Sequence, residues 1–203
     1  GLDNAFVSDI GGTTTDIAIL DKGQPRIDEN GATVGGFNTM VEAVAMRTHG
    51  LGGDSEVALE EGGLEPNLIL GPRRILPLAL AAAAHPSILM VLEKQAKSDV
   101  LDRLEGRFAF RTGLDDRFAA GLSPSEQALY DRLTPEPKPL SGLITAASQM
   151  TSLARLVTRG LAMMSGYTPT DAQHVLGRQA TGSVEAAQLG ATLFARKRDG
   201  RGR

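Results

Sequence analysis

The sequence predicts a mixed α/β fold, and three observations predict it. Two short apolar runs, Ala5-Phe6-Val7 and Ile17-Ala18-Ile19-Leu20, flank a glycine turn and read as paired strands. Phe37, Met40, Val41, Val44 and Ala45 recur at helical spacing, giving one apolar stripe over Phe37 to His49. Ser123-Pro124-Ser125-Glu126 joins a capping hydroxyl, a proline at the first helical position and a capping-box glutamate, which marks a helix start. A length of 203 residues allows one domain or two small ones, and 41% apolar residues is enough for a packed core.

Taken in order, the hairpin is followed by a turn at Asp21-Lys22-Gly23, a short strand over Gln24 to Asp28 and a glycine-rich connection from Gly31 to Gly36. The helix at Phe37 to His49 ends at Gly50, and Leu51-Gly52-Gly53-Asp54-Ser55 turns the chain into a strand near Glu56 to Leu59. Leu68 to Arg74 reads as a strand running into a Gly-Pro turn. An alanine-rich helix is expected at Leu78 to Ala84, and another restarts at His85-Pro86-Ser87. A strand at Phe108 to Arg111 precedes the helix begun at Ser123, which the proline-rich stretch from Thr134 to Pro139 breaks. Short helices near Leu140 to Ala147 and Thr151 to Arg159 lead to a strand at Gly160 to Met164. Thr168-Pro169-Thr170-Asp171 caps a helix ending at Gly177, and Ser183 to Arg198 makes the last, with Glu185 near its start and three basic residues near its end, as the macrodipole favours.

The turn of the first hairpin carries the chemistry. Asp9-Ile10-Gly11-Gly12-Thr13-Thr14-Thr15-Asp16 places adjacent glycines where backbone N–H groups can converge on an anion without Cβ atoms in the way. Thr13, Thr14 and Thr15 add hydroxyl donors. Asp9 and Asp16 bracket the loop; like charges repel, so they suit a divalent cation held through water, or the orientation of an attacking water, rather than phosphate itself. A tight turn alone would not call for three threonines and a second acid. The loop points to a nucleotide with a metal ion.

A second loop follows. His49, Asp54 and Ser55 lie within seven residues on a stretch that Gly50, Gly52 and Gly53 make tight. They supply groups to hold a metal or move a proton; equally, His49 is a helix C-cap followed by an Asp-Ser turn, and spacing alone leaves the two even. His85, with no carboxylate beside it in sequence, reads as a helix-terminal turn residue. Asp171 and His174 share a helix face, turned either to the site or to solvent.

Composition excludes several classes. Net charge is −3, and the 21 basic residues are scattered apart from Arg196-Lys197-Arg198 and the terminal Arg-Gly-Arg, which argues against a broad nucleic-acid surface. There is no cysteine, so disulfides, thiolate metal sites and a cysteine nucleophile are out, which fits a cytoplasmic protein; any metal takes oxygen or imidazole ligands. The apolar stretch from Ile75 to Ala84 is interrupted by Pro77 and stops at His85, so no membrane span is expected.

The pattern D-x-G-G-T-x-x-D resembles the second phosphate loop of the sugar kinase, Hsp70 and actin superfamily, and more narrowly the A-type subunit of the hydantoinase/oxoprolinase family. Thr48-His49-Gly50-Leu51-Gly52-Gly53-Asp54-Ser55 is similar to a glycine-rich segment of that family, and Thr168-Pro169-Thr170-Asp171-Ala172 with Val175-Leu176-Gly177 to its later signature. Asp54 stands where many members have a third glycine. The resemblance implies an actin-like (ribonuclease H-like) ATPase half formed by residues 1–76 and 160–198, with a tail at 199–203; residues 77–159 depart from the family pattern as a mainly helical insert, whose short helices followed by a strand resemble a winged helix-turn-helix. The resemblance also implies an ATP-dependent hydrolase, or related carboxylase, acting on a small cyclic amide. ATP phosphates would lie on Gly11, Gly12, Thr13, Thr14, Thr15, Gly52 and Gly53, the catalytic groups would be Asp9, Asp16 and His49, and Mg, Mn or Zn would lie on Asp9, His49 and Asp54. An N-terminal domain or partner subunit would supply the other phosphate loop. The alternative is a nucleotide-dependent regulator whose insert, Leu122 to Tyr167, binds DNA or a protein through Arg155 and Arg159.

Overall fold

The computed structural model describes residues 2–28, 33–34, 37–38, 43–60 and 67–199, and over these the chain is a mixed α/β protein, as predicted. Strands β1 (Ala5–Ile10) and β2 (Thr15–Asp21) form the antiparallel hairpin, with Asp9 opposite Asp16 and Ile10 opposite Thr15. Its two apolar runs alternate across the pleat, and the glycine turn lets the chain reverse between them. Strand β3 (Gln24–Pro25) continues the meander on the far edge of β2. Two short ladders follow: β4 (Ile27–Asp28) pairs with β7 (Ala43–Val44), and β5 (Thr33–Val34) with β6 (Phe37–Asn38). The glycine-rich connection expected at 31–36 lies largely outside the described residues.

The helix expected over Phe37 to His49 does not form. Its described part is strand, ending in β8 (Met46–His49), which pairs with β2 beside β3. The physical reason is the free edge of β2: its unpaired backbone groups at Thr15 to Ala18 are satisfied by a strand and not by a helix. Val44 and Thr48 suit a strand as well as a helix, so the apolar spacing did not discriminate. Met40 and Val41, which completed the stripe, lie outside the described residues.

Strands β9 (Ser55–Leu59) and β10 (Leu68–Arg74) form an antiparallel pair whose register shifts between Leu70 and Arg74. The expected Gly-Pro turn is this bulge inside β10, where Gly71 takes a φ of +64°. A four-stranded sheet then runs β11 (Leu76–Pro77), β14 (Ala162–Gly166), β12 (Phe108–Arg111), β13 (Lys138–Pro139), β11 and β14 being parallel and the other pairs antiparallel. It draws strands from both sides of residues 77 and 160, where the sequence placed the ends of an insert.

Helices α1 (Leu78–Ala84), α2 (Ser87–Ala96), α3 (Pro124–Arg132), α4 (Leu140–Leu143), α5 (Ala147–Thr158), α6 (Pro169–Val175) and α7 (Val184–Arg198) pack around this sheet. The capping box at Ser123 and Glu126 is present as predicted, while α5 begins a turn earlier than Thr151. One core joins Leu129, Leu133, Leu140, Leu153 and Leu156 of α3 to α5 with Met164, and a second joins Leu78, Ile88 and Leu92 with Phe108 and Leu193. Arg155 of α5 and Arg159, its C-cap, are exposed and each has a partner within the fold. Arg155 pairs with Glu126 at 3.3 Å, and Arg159 donates to the carbonyls of Phe118 and Ala120, both at 2.8 Å.

Every buried apolar residue described lies between Ile75 and Leu193. The β1–β2–β8 sheet is the contrast. Phe6 (80% exposed), Ile10 (71%) and Ile19 share one face in the open, with Val7 and Met46 exposed on the other. Among the described residues no helix is long and apolar enough to cross a membrane.

Candidate functional site

The Gly11-Gly12 turn is closed by one internal hydrogen bond, from the Gly11 N–H to the Thr14 carbonyl at 2.9 Å. Among the described residues the N–H groups of Gly12, Thr13 and Thr14 have no protein acceptor. The anion-binding surface is therefore narrower than the sequence suggested: Gly11 spends its donor on the turn, and three N–H groups at the tip stay open.

The second glycine loop lies directly against the first. The Gly53 N–H donates to the Gly11 carbonyl (3.1 Å) and the Asp54 N–H to the Gly12 carbonyl (2.7 Å). A Cβ on Gly52 would stand 2.5 Å from the Gly12 carbonyl carbon and 2.6 Å from the oxygens of Gly11 and Gly12, so only glycine permits the approach. Gly52 gives its own N–H to Ser55 Oγ at 2.9 Å, so these glycines build the floor of the loop. Thr15 donates its hydroxyl to the Leu51 carbonyl (2.7 Å), tying β2 to the second loop. Of the three threonines, Thr13 is exposed and Thr14 half-buried at the tip.

Strand register sorts the acids and the histidine onto two faces. Asp9, Asp16 and Thr48 form one row across β1, β2 and β8; Ile10, Thr15 and His49 form the next. Side chains of adjacent rows point to opposite faces of a sheet. Asp9 and Asp16 therefore share a face, with Thr48 Oγ1 donating to Asp16 Oδ1 at 2.5 Å, and His49 projects from the other side. Asp54 is engaged elsewhere: Arg74 lies 3.3 Å from Oδ2, and Thr170 Oγ1 donates to Oδ1 at 3.4 Å. The expected metal set of Asp9, His49 and Asp54 is thus not brought together, and among the described residues no group of three His, Asp or Glu side chains could hold a metal ion.

Three relationships had no sequence signal at short range. Asp171, read as facing a site or solvent, is completely buried. Its Oδ2 accepts from the Leu78 N–H (3.2 Å) and from Thr168 N–H and Oγ1 (both 2.9 Å), and its Oδ1 from the Ala79 N–H (2.7 Å). Burial raises its pKa above the usual carboxylate value, against the lowering effect of these donors. His174, also buried, sets Nδ1 2.8 Å from the Thr170 carbonyl. His85 does have a carboxylate neighbour, since Glu136 lies 3.1 Å from its Nδ1 and also accepts from Ser87 Oγ. The T-P-T-D cap of α6 hinted at the first; Leu78, Ala79 and Glu136 lie too far along the chain to be seen, and the His174 contact with Thr170, though only four residues apart, has no motif of its own.

Comparison with known proteins agrees with the loops. Residues 1–73 match the family model described as Hydantoinase/oxoprolinase. A search of curated proteins finds no match. Among solved structures, the nucleotide-free acetone carboxylase, from work titled as the mechanism of ATP-dependent acetone carboxylation, is 30% identical over 36% of this chain and 10% of that one, with a TM-score of 0.29. The match thus spans a tenth of that protein. The T-P-T-D signature lies beyond the matched residues, whereas both glycine loops lie within them. Residues 1–73, a little over a third of the chain, are therefore similar to the hydantoinase/oxoprolinase family model.

Proposed function

We propose that this chain is part of an ATP-dependent enzyme of the hydantoinase/oxoprolinase type, a hydrolase of small cyclic amides or a related carboxylase, built on an actin-like half with residues 77–159 as a winged-helix-like insert. The observation that carries the reading is the stacking of Gly52-Gly53 on Gly11-Gly12 inside the family-matched segment, which presents open N–H groups at the tip of a turn. Gly12, Thr13 and Thr14 would take the phosphates through these N–H groups, with the hydroxyls of Thr13 and Thr14 beside them. Bound ATP would supply a phosphoryl group that turns the amide oxygen into a leaving group.

The donor set fits a hard cation rather than zinc. Magnesium or manganese is held by one or two carboxylates with water and substrate phosphates, and the opposed Asp9 and Asp16 offer that pair. Zinc would want three or four converging protein ligands, which the described residues do not offer. Asp9 and Asp16 are directly opposite and of like charge, and a cation between them would relieve their repulsion. Asp16, held by Thr48, has the more restricted carboxylate, which suits it to orient a water. His49, on the far face, is available to a group approaching from that side.

The uncovered apolar residues of the β1–β2–β8 sheet support a missing N-terminal domain or partner subunit, which would complete the nucleotide site and cover Phe6 and Ile10. The absence of cysteine fits work in the cytoplasm. The alternative, in which the insert binds DNA or a protein partner, is the second reading: Arg155 and Arg159 are both exposed, though each also has a partner within the fold.

Calorimetric titration with ATP, with and without magnesium or manganese, tests the proposal. Metal-dependent binding that Asp9→Ala abolishes, in a protein that stays folded, is the expected result; equal affinity in wild type and variant would overturn the assignment of the carboxylates.

A further inference from the structure

The stacked glycine loops are held from a third side. Thr170, second residue of α6, donates its N–H to the Gly53 carbonyl at 2.8 Å and its hydroxyl to Asp54 Oδ1 at 3.4 Å. A Cβ on Gly53 would stand 2.7 Å from Thr170 Oγ1, so any side chain there would displace the Thr170 hydroxyl. Asp54 also receives Arg74 at 3.3 Å, and its carboxylate oxygen would lie 3.2 Å from a Cβ on Gly12. Thr170 therefore presses on residues that themselves donate to the Gly11 and Gly12 carbonyls.

Thr170 is in turn fixed. The reciprocal cap of Thr168 and Asp171 sets the start of α6 around it. Behind it stands His174, 1% exposed, whose Nδ1 meets the Thr170 carbonyl at 2.8 Å and whose Nε2 meets Thr181 Oγ1 at 3.4 Å. A carbonyl can only accept, so Nδ1 carries the proton, and in the neutral ring Nε2 accepts from Thr181. The ring has a partner at each end and no opening to substrate. It braces the first turn of α6 at the Thr170 carbonyl and ties that turn to Thr181, beyond the end of the helix.

We infer that Thr170, backed by His174, is a positioning residue for the phosphate-gripping turn: it clamps Gly53 and Asp54 onto Gly11 and Gly12, and so sets the open N–H groups of Gly12, Thr13 and Thr14 for an anion. The inference rests on the nucleotide reading for its consequence, though not for the clamp itself.

Two readouts separate these. Amide hydrogen exchange at Gly53 and Asp54, measured without nucleotide, reports the clamp; calorimetric affinity for magnesium-ATP reports its consequence. Thr170→Val keeps the branched shape and the N–H but removes the hydroxyl, and Thr170→Ser restores it. In Thr170→Val, exchange at Gly53 and Asp54 accelerates and magnesium-ATP binding weakens, each by about tenfold, while exchange in β12 and β14 stays as in wild type. Thr170→Ser returns both to wild-type values. A general stability loss would instead speed exchange in β12 and β14 as well, and would overturn the proposal. So would unchanged exchange at Gly53 and Asp54 in Thr170→Val. If wild type binds no magnesium-ATP while the exchange pattern follows the prediction, the clamp stands and the nucleotide reading falls. His174→Asn, whose amide retains a donor near the Nδ1 position, gives the second check: it protects Gly53 better than His174→Leu, and equal exchange in the two would remove His174 from the device.

Discussion

The carboxylate of Asp171 receives the N–H groups of Leu78 and Ala79, so a side chain in the first turn of α6 also caps the start of α1. Neither Pro77 nor any other α1 residue supplies a side-chain cap there, and α1 has no acid in its first turn. The cap that α1 lacks locally comes from across the fold.

Asp171→Ala leaves the first N–H groups of α1 and the Thr168 pair without their acceptor inside the core, and is expected to cost about 2–4 kcal/mol in urea unfolding. Asp171→Asn adds a pH signature. Burial raises the folded pKa of Asp171, so the folded state keeps a proton over an interval in which the unfolded chain has lost it. Stability from this group is therefore full below the unfolded value of 3.8 and declines as pH rises through the raised folded value. The stability of wild type relative to Asp171→Asn should fall across that interval, and a flat difference would contradict the assignment.

Gly52→Ala is expected to break the loop stack. Its Cβ meets backbone atoms of Gly11 and Gly12, which cannot swing aside as a flexible side chain would. Overpacking of this kind costs about 1–3 kcal/mol, and here the strain falls on the anion-binding turn. Gly113→Ala, where nothing lies within 4 Å, is the matched control. Nucleotide titration of the two variants should show loss in the first and wild-type affinity in the second.

Lys197 gives a test at alkaline pH. Its Nζ donates to the carbonyls of Arg103 (3.1 Å) and Glu105, and burial together with Arg107 brings its pKa down to about 8 from 10.5. Between those values the unfolded chain binds a proton that the folded chain has lost, so stability contributed by this group rises with pH from about 8 toward 10.5. Denaturant unfolding of wild type and Lys197→Met at pH 7 and pH 9.5 should show the gap shifting in favour of wild type at the higher pH.

Glu56 is buried at the start of β9 and bridges Arg73, at 3.3 Å, and Arg107. Arg107 Nε is buried without a hydrogen-bond partner, so its guanidinium depends on Glu56 for compensation. Glu56→Ala strips that charge of its counterpart and is expected to destabilise by about 3 kcal/mol. Adding Arg107→Met should recover a large part of the loss, a double-mutant cycle that isolates the pair.

The sequence by itself determined the local chemistry. Gly11-Gly12 needs no partner to make a turn between two apolar strands, and Ser123 and Thr168 announce their helices because a cap is satisfied within three residues. The family resemblance over the first two loops was legible for the same reason. Tertiary structure decided whatever depended on a distant neighbour. Phe37 to His49 had a helix's spacing, but the open edge of β2 made a strand of Met46–His49, and that register carried His49 away from Asp9 and Asp16. Asp54 looked like a metal ligand until Arg74 and Thr170 were brought to it, and His85 looked solitary until Glu136 was. Composition can state that a carboxylate is present; which donors reach it first is settled by packing, since a buried or half-buried charge takes the nearest partner that offsets its lost hydration.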